Sequence, residues 1–432
     1  MVLKMRKMKD SGIEWIGEIP EGWEVHRVKT HFSIISGSGF KPELQGQSTG
    51  DFPVCKASDI SSSGHYLHTS ANYITSDIVK SQHFSIIPKG SILFAKIGEA
   101  MRKNNRSLCL HDCCVDNNCQ GLVPKNISSE FSYYLFTCID MTWFDNAGTI
   151  PCINNQKLYD CRIPFPSYDE QLLISNHLNF QCAKINEMLF HIRSSIEEYK
   201  KLKQTVITQA VTKGVRGERE MKDSGNPWFG QIPTDWELSR VGLHFSIILG
   251  KMLCNAPLND TYTLEPYYCA ADVHFDGVAD GERKKMWFSP IEKDLYRVSV
   301  GDLLVVEGGA GAGGSAIVEN QDSYTYIQNS IMIVRSKGNA DNRYLRYLLE
   351  FLVKQGYIDV VCNKATIPHF TKDKLSCVPF CLCGEQEEIA DYLDAKCAEI
   401  DKLIAKKEQL VKELESYKKS LISEVVTGKR EV

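Results

Sequence analysis

A heptad pattern that occurs twice constrains this chain more than any other feature. Between residues 169 and 213 apolar side chains recur mostly at alternating intervals of four and three positions, and only Lys203 interrupts the series. Its members are Leu178, Cys182, Ile185, Leu189, Ile192, Ile196, Tyr199, Val206 and Ala210. This spacing predicts a long helix with an apolar seam, which needs a partner along its length. The segment closes with Lys213 and Gly214, residue types that are common at helix C-termini.

The same pattern returns 215 residues later and supplies the partner. Its members are Leu393, Cys397, Ile400, Ile404, Val411, Leu414, Leu421 and Val425, with Lys407 and Lys418 as interruptions. Repeated units related by a pseudo-twofold axis meet through equivalent surfaces. We therefore expect the two helices to pack against each other as an antiparallel coiled coil.

The segments that precede the two helices are also copies of each other. Residues 8–37 and 221–250 are identical at 19 of 30 positions, which marks an internal repeat. After Gly37 and Gly250 the copies diverge, and similarity returns at a Thr-Ile-Pro turn, at 149–151 and 366–368. We call the similar ends of each copy the frame. The dissimilar segments between Gly37 and Thr149 and between Gly250 and Thr366 are the private interiors. A shared frame with different interiors is expected of two domains that recognise different ligands on one scaffold.

Short apolar runs separated by polar turns predict an α+β domain with a mostly antiparallel sheet in each copy. The predicted strands include residues 83–87, 92–95, 303–306, 315–318 and 324–327, and one helix is predicted in each copy, at 130–141 and 343–354. The predicted fold class is α+β: two repeated globular α+β domains, each followed by a long helix, with the two helices packed antiparallel under pseudo-twofold symmetry. The predicted boundaries are 1–166 and 216–381 for the globular domains, and 167–215 and 382–432 for the helices.

Composition fits an ordinary globular protein, with 43% hydrophobic and 24% charged residues. The sequence has no apolar run of the roughly 18 residues that a membrane span requires and no signal-peptide core, so we expect a cytoplasmic protein. The formal net charge is −4, and residues 1–165 carry 17 basic against 16 acidic side chains. Any DNA contact must therefore come from a local patch or from a partner subunit.

The 16 cysteines raise the question of a metal site. The densest groups lie at 109–119, together with His111, and at 377–383, and neither has the paired Cys-x-x-Cys spacing of zinc sites. We interpret the cysteines as buried free thiols of a reducing compartment and expect no metal.

Several short motifs recur in the same order in both copies. They are the Asp-Ser-Gly to Trp opening at 10–23 and 223–236, the glycine-led strand at Gly90 and Gly301, the Thr-Ile-Pro turn, the Glu-Gln helix start at 170–171 and 385–386, and the Val-Thr that closes each helix. This ordered set resembles the specificity subunit of type I restriction-modification systems. The resemblance spans both repeats, essentially the whole chain.

The resemblance implies that each globular domain is a target recognition domain that reads one half of a split DNA sequence. It implies that the two helices set the distance between the domains and dock methyltransferase subunits. Because the two interiors differ, the target is expected to be asymmetric. The implied partners are double-stranded DNA, two methyltransferase (modification) subunits and restriction/translocase subunits. No cofactor is expected in this chain; S-adenosylmethionine, ATP and magnesium are expected in the partner subunits.

Basic clusters in the private interiors are the candidate DNA contacts, because Arg and Lys bind guanine edges or phosphates and Asn binds adenine edges. The candidates are Arg102, Lys103, Asn104, Asn105 and Arg106, which are expected in an exposed loop, then Arg283, Lys284 and Lys285, and, as weaker candidates, Lys251 and Lys364. The plainer interpretation is a solvated turn. Thr149 and Thr366 are expected to shape the shared turn rather than to touch bases.

Two other features have structural interpretations. The run at 308–314 satisfies Gly-x-Gly-x-x-Gly, but strand-like sequence follows it and it contains no Gly-Lys-Ser/Thr, so a hairpin is expected. Trp15, Trp23, Trp228 and Trp236 recur in both frames and are expected in the cores rather than as base-stacking platforms.

Apolar residues outside the predicted seam suggest either a docking surface for a larger bundle or a wider seam. They are Leu202, Ile207, Leu403, Leu410 and Ile422. No catalytic motif is evident, so the chain is expected to be a non-catalytic subunit. Two alternatives remain at this stage, a single-chain DNA-modifying enzyme and a coiled-coil protein scaffold that does not bind DNA.

Overall fold

The computed structural model describes residues 6–146, 148–320, 324–362 and 368–432. The chain divides into two compact units. Unit 1 comprises Met1–Arg193 with Gln409–Val432, and unit 2 comprises Ser194–Glu408. Both divisions fall inside the long helices, Tyr168–Lys213 and Gln386–Val426. We call these the first and the second long helix.

Unit 1 contains a mostly antiparallel main sheet. Its strand order is Phe32–Ser36, Cys119–Pro124, Ile92–Ala95, Arg106–Cys109 and Tyr66–Leu67, and only the last pair is parallel. A second sheet has the order Cys114–Val115, Phe52–Cys55 and Tyr73–Ile74, and two-stranded pairs join Met8–Ile13 to Gly17–Pro20 and Glu24–Arg27 to Arg162–Phe165. The helices of the globular part are Val28–His31, Ala57–Ser63, Ser76–Ser81, Gly98–Arg102, Ser129–Thr137 and Asn155–Asp160, with 3₁₀ turns at Pro42–Leu44 and Met141–Phe144.

Unit 2 repeats this order in its main sheet, although the two interiors differ in sequence. The strands run Phe245–Leu249, Ile331–Ser336, Leu303–Val306 and Ser315–Ile317, all antiparallel. A second sheet has the order Lys285–Phe288, Thr263–Tyr268 and Tyr326–Ile327, and two-stranded pairs join Met221–Asp223 to Gln231–Pro233, Glu237–Arg240 to Pro379–Leu382, and Val273–His274 to Gly277–Val278. Its helices are Val241–His244, Pro290–Tyr296, Asn342–Lys354, Tyr357–Val361 and Lys372–Ser376, with a 3₁₀ turn at Ala270–Asp272.

The predicted α+β class and the repeated frame are confirmed. Each globular part, however, contains several short helices where the sequence predicted one. Residues 83–87 do not form a strand, because only a single bridge joins Ile87 to Cys113. The predicted hairpin is present, since the glycine-rich run connects Leu303–Val306 to its antiparallel partner Ser315–Ile317.

Within each unit the two long helices are antiparallel. In unit 1, Arg193 pairs with Glu415 at 2.5 Å and Asn186 accepts from Lys418 at 2.7 Å, so residue numbers fall on one helix as they rise on the other. In unit 2, the ammonium of Lys407 lies 5.5 Å from the Tyr199 ring centre, and Lys203 pairs with Asp401 further along.

The hydrophobic cores include both helices. In unit 1, the seam residues Leu178 and Cys182 pack with Leu421 and Val425 in the same core as the domain's own strands. In unit 2 the corresponding core contains residues from the end of the first long helix and from the start of the second, among them Val211 and Leu393. Each globular domain is therefore completed by the beginning of the helix that follows it and by the end of the other helix.

Candidate nucleic-acid interface

The Glu-Gln pair that begins each long helix anchors that helix to its own domain. Trp23 donates its indole N–H to Glu170 at 2.9 Å, and Trp236 donates to Glu385 at the same distance. Both tryptophans are almost fully buried. These two tryptophans are therefore core residues in both frames, as the sequence predicted.

An arginine completes each of these contacts. Arg6 lies over the Trp23 ring in unit 1 and also pairs with the glutamate, and Arg219 does the same in unit 2. The glutamate in unit 1 has 23% of its side chain exposed and the one in unit 2 only 1%. The same contact is thus partly hydrated in one unit and dry in the other.

The glutamine of the pair holds the domain helix. The side-chain oxygen of Gln171 accepts from the backbone N–H of Ser128 at 2.8 Å, and Gln386 accepts from Asp341 at 3.0 Å. Ser128 and Asp341 are the N-cap residues of the corresponding domain helices. The motif therefore fixes one domain helix against the start of the long helix in each unit.

The first basic cluster is only partly exposed. Arg102 and Lys103 are exposed after the short helix Gly98–Arg102. The Asn104 side chain accepts from the backbone N–H of Met141 at 3.0 Å. Asn105 donates its amide to the hydroxyl of Ser61 at 3.0 Å. The two asparagine side chains therefore already have partners within the domain.

Arg106 differs from the expected exposed loop, because it begins a strand and only 6% of its surface is exposed. Its guanidinium donates to the carbonyl of Ile139 at 2.5 Å and to the amide oxygen of Asn104 at 2.7 Å. Burial lowers the pKa of Arg106 to about 10, so the side chain is still charged at neutral pH. The sequence shows only a run of basic residues and does not indicate that the strand turns the Arg106 side chain inward.

Two of the candidate DNA contacts in unit 2 already form ion pairs within the domain. Lys251 pairs with Glu292 at 2.6 Å, and 10% of its side chain is exposed. Arg283 pairs with Asp272 at 3.1 Å and lies over the ring of Tyr268. Both basic groups are therefore already paired with a carboxylate of their own domain.

The remaining candidates of unit 2 differ in what can be said of them. Lys284 and Lys285 are exposed, at the start of Lys285–Phe288. Lys364 and Thr366 lie outside the described residues. Thr149 is exposed in a bend. The DNA-binding role of all these residues remains a prediction.

The predicted docking residues fall into two groups. Leu202 and Leu410 are exposed, with 47% and 43% of their surfaces accessible, and Leu403 is half-buried. Ile207 and Ile422 are buried in the cores of units 2 and 1. The expectation of an exposed docking face is wrong for these two isoleucines, because the globular domains cover that side of the helices. Other exposed apolar residues of the first long helix are Tyr168, Leu172, Leu173, Phe180, Met188 and Phe190.

Two of the three lysines that interrupt the seams, Lys203 and Lys418, find acceptors on the opposite long helix. Lys203 pairs with Asp401 at 2.7 Å, although only 13% of its side chain is exposed. Lys418, its counterpart 215 residues later, donates to Asn186 at 2.7 Å. A polar pair inside a seam favours the register that brings its two members together. The interruptions were visible in the sequence, but their pairing was not.

The cysteines do not form a metal site in the described part of the chain. No group of three or more potential ligands comes together there. Cys109, Cys113, Cys114 and Cys119 are buried, and burial contributes to raising the pKa of each of these thiols.

Comparison with known proteins bears on the whole of this arrangement. Residues 20–198 match the family model described as type I restriction modification DNA specificity domain. The resemblance to type I specificity subunits is confirmed. Two relatives come from Methanocaldococcus jannaschii. The putative MjaX specificity subunit is 27% identical over 96% of this chain and 95% of its own length. The MjaIX specificity subunit is 26% identical over 57% of this chain and 56% of its own length.

This chain shares its fold with a solved structure. It comes from work described as the structural basis of complex assembly and conformational transition of the type I R-M system. The match has a TM-score of 0.70 at 18% identity and covers 95% of this chain and 99% of the other. None of the helices in the described ranges has the length and apolar composition needed to span a membrane.

Proposed function

We propose that this chain is the DNA specificity subunit of a type I restriction-modification complex and reads a bipartite, asymmetric target with one half-site per unit. One observation carries the proposal. The frame contacts between tryptophan, glutamate and glutamine recur in both units, whereas the interiors between them differ almost completely in sequence. Two domains built on one frame with different surfaces suit the recognition of two different half-sites.

The exposed basic side chains are the proposed contacts to DNA. Lys103 in unit 1 and Lys284 in unit 2 lie in the private interiors. Among the described residues neither forms an ion pair, unlike Lys251 and Arg283. The chain as a whole is slightly acidic, so its own electrostatic attraction to DNA is weak. Stable binding is therefore expected to need the charge of the partner subunits.

The chain is proposed to recruit the catalytic subunits rather than to catalyse a reaction. The exposed apolar side chains of the long helices, including Leu202 and Leu410, are the proposed docking positions for two methyltransferase subunits. Restriction/translocase subunits would join the same complex. S-adenosylmethionine, ATP and magnesium are proposed to bind in those partners.

The test is to reconstitute the chain with its methyltransferase subunit and to map the methylated motif by sequencing. Substituting Lys103→Ala should relax or weaken recognition of one half-site, and Lys284→Ala that of the other, with the second half unchanged in each case. Lys80→Ala removes an exposed lysine from a short helix of unit 1 and serves as the matched control. A contiguous motif, or methylation by the purified chain alone, contradicts the proposal. The absence of salt-sensitive DNA binding by the assembled complex would favour a protein scaffold instead.

A further inference from the structure

A cavity of about 800 Å³ lies in unit 1 between the globular domain and the two long helices. This volume is within the range of small-molecule sites. The basic and aromatic residues on its wall include His65, Lys103, Arg106, Tyr133, Lys418 and Lys419. The described residues that line the cavity include no aspartate and no glutamate. The cavity is therefore basic, although the chain is slightly acidic.

Arg106 brings a buried charge to this wall that is only partly satisfied. Both of its hydrogen-bond acceptors are neutral, the carbonyl of Ile139 and the amide of Asn104. Its Nε has no hydrogen-bond partner among the described residues. A buried guanidinium with no carboxylate hydrogen-bonded to it is costly, and an anionic ligand would reduce that cost.

Unit 2 has a cavity in the equivalent place, which shows what is particular to unit 1. Tyr134 donates its hydroxyl to Asn179 on the first long helix at 2.7 Å. Tyr347 donates in the same way to Asp394 on the second, at the same distance and 215 residues beyond that asparagine. Each tyrosine lines the cavity of its own unit. The two units share this tyrosine contact, but its acceptor is an amide in unit 1 and a carboxylate in unit 2.

The same exchange occurs at a second position. Lys418 contacts Asn186 in unit 1, whereas its counterpart Lys203 pairs with Asp401 in unit 2. The unit 2 cavity, about 390 Å³, is also lined by the acidic residues Asp276, Glu319, Asp394 and Asp401. Its basic side chains are therefore balanced by carboxylates on the same wall. In unit 1 His65 pairs with Glu130 at 3.1 Å, but no ion pair among the described residues holds Arg106, Lys418 or Lys419.

We propose that the unit 1 cavity binds a phosphate-bearing ligand, either a free nucleotide or the backbone of a nucleic acid, between Arg106 and the lysines of the second long helix. Arginine and lysine are the usual phosphate ligands of proteins. The amides at the two exchanged positions keep the helix contacts without placing negative charge beside the anion. The nucleic-acid alternative rests on the proposed DNA recognition, whereas the free-nucleotide alternative does not.

Isothermal titration calorimetry of the full chain with pyrophosphate and with ATP provides the first measurement. Asn186→Asp restores the carboxylate that unit 2 carries and keeps an acceptor for Lys418, so the fold should be retained. Lys419→Gln removes an exposed charge from the wall. Each variant should bind the anion about tenfold more weakly. Lys412→Gln, on the same helix but away from the cavity, should bind as tightly as the unmodified chain.

Fluorescence anisotropy with a labelled DNA duplex, measured on the chain assembled with its methyltransferase subunits, then distinguishes the two sources of phosphate. If ATP or pyrophosphate binds and both variants lose this binding, the ligand is a free anion. If only the duplex affinity falls in both variants, the ligand is the DNA backbone. If neither affinity falls, or if the control variant loses as much, the cavity is not a phosphate site.

Discussion

The contact between glutamate and tryptophan offers a matched pair of perturbations, because it occurs in both units with different burial. In unit 2, Glu385 has 1% of its side chain exposed and pairs with Arg219, which is 17% exposed. Replacing Glu385 by glutamine keeps the shape and one acceptor for the indole. It removes the closer of the two carboxylates that pair with Arg219 and leaves the longer contact to the exposed Asp235, at 3.7 Å. Removing one partner of a buried ion pair costs about 3–5 kcal/mol.

In unit 1 the corresponding substitution, Glu170→Gln, should cost much less. The glutamate is 23% exposed and Arg6 is 34% exposed, so water stabilises the arginine after the charge is removed. We expect a loss of about 1 kcal/mol, the size of one hydrogen bond or one exposed pair. The difference between the two substitutions is thus about 2–4 kcal/mol.

Native-state hydrogen exchange followed by mass spectrometry is the suitable assay, because a chain with two units does not unfold in one step. Glu385→Gln should accelerate exchange of the protected amides of unit 2 by roughly 100-fold or more, and Glu170→Gln those of unit 1 by roughly fivefold. Equal effects, or an effect of Glu385→Gln confined to unit 1, would refute the reasoning.

Three other predictions concern single features of the fold. Gly428 has φ +73°, and an added Cβ would lie 2.5 Å from Pro20, so Gly428→Ala should destabilise unit 1 by about 1–3 kcal/mol. Gly384→Ala, with open space around the new Cβ and no positive φ, is the control, and native-state hydrogen exchange measures both. Removing residues 409–432 should abolish exchange protection in unit 1 while unit 2 keeps its protection. Loss of protection in unit 2 instead would contradict the assignment of these residues to unit 1. At pH 8 Ellman's reagent should modify the exposed Cys377 quickly and Cys381 slowly, because burial raises the pKa of Cys381 to about 12; mass spectrometry identifies the modified thiols.

The long helices and the frame could be predicted because their signals are periodic and occur twice. The seam predicted a helix from 169 to 213, and the structure has Tyr168–Lys213. Their antiparallel packing also followed from the repeat, and the seam contacts in each unit confirm it. The domain boundaries predicted at 166, 215 and 381 follow the chain, whereas each compact unit also takes in the end of the other long helix.

Contacts between distant residues could not be predicted. Nothing near Arg106 in the sequence shows that its guanidinium reaches the carbonyl of Ile139. Ile207 and Ile422 lie outside the predicted two-helix seam, and only the folded domains that cover them explain their burial. The repeated Glu-Gln start predicted where each helix begins but not that Gln171 accepts from the backbone of Ser128.

The division of the second long helix between the units has a consequence for synthesis on the ribosome. Unit 1 needs Leu421 and Val425 for its core, and these residues are made only after the whole of unit 2. At about 5–20 residues per second, translation of residues 194–432 takes roughly 10–50 s. During this interval the nascent N-terminal domain exposes apolar surface that its own segment cannot cover, which makes it a natural client for molecular chaperones until translation finishes.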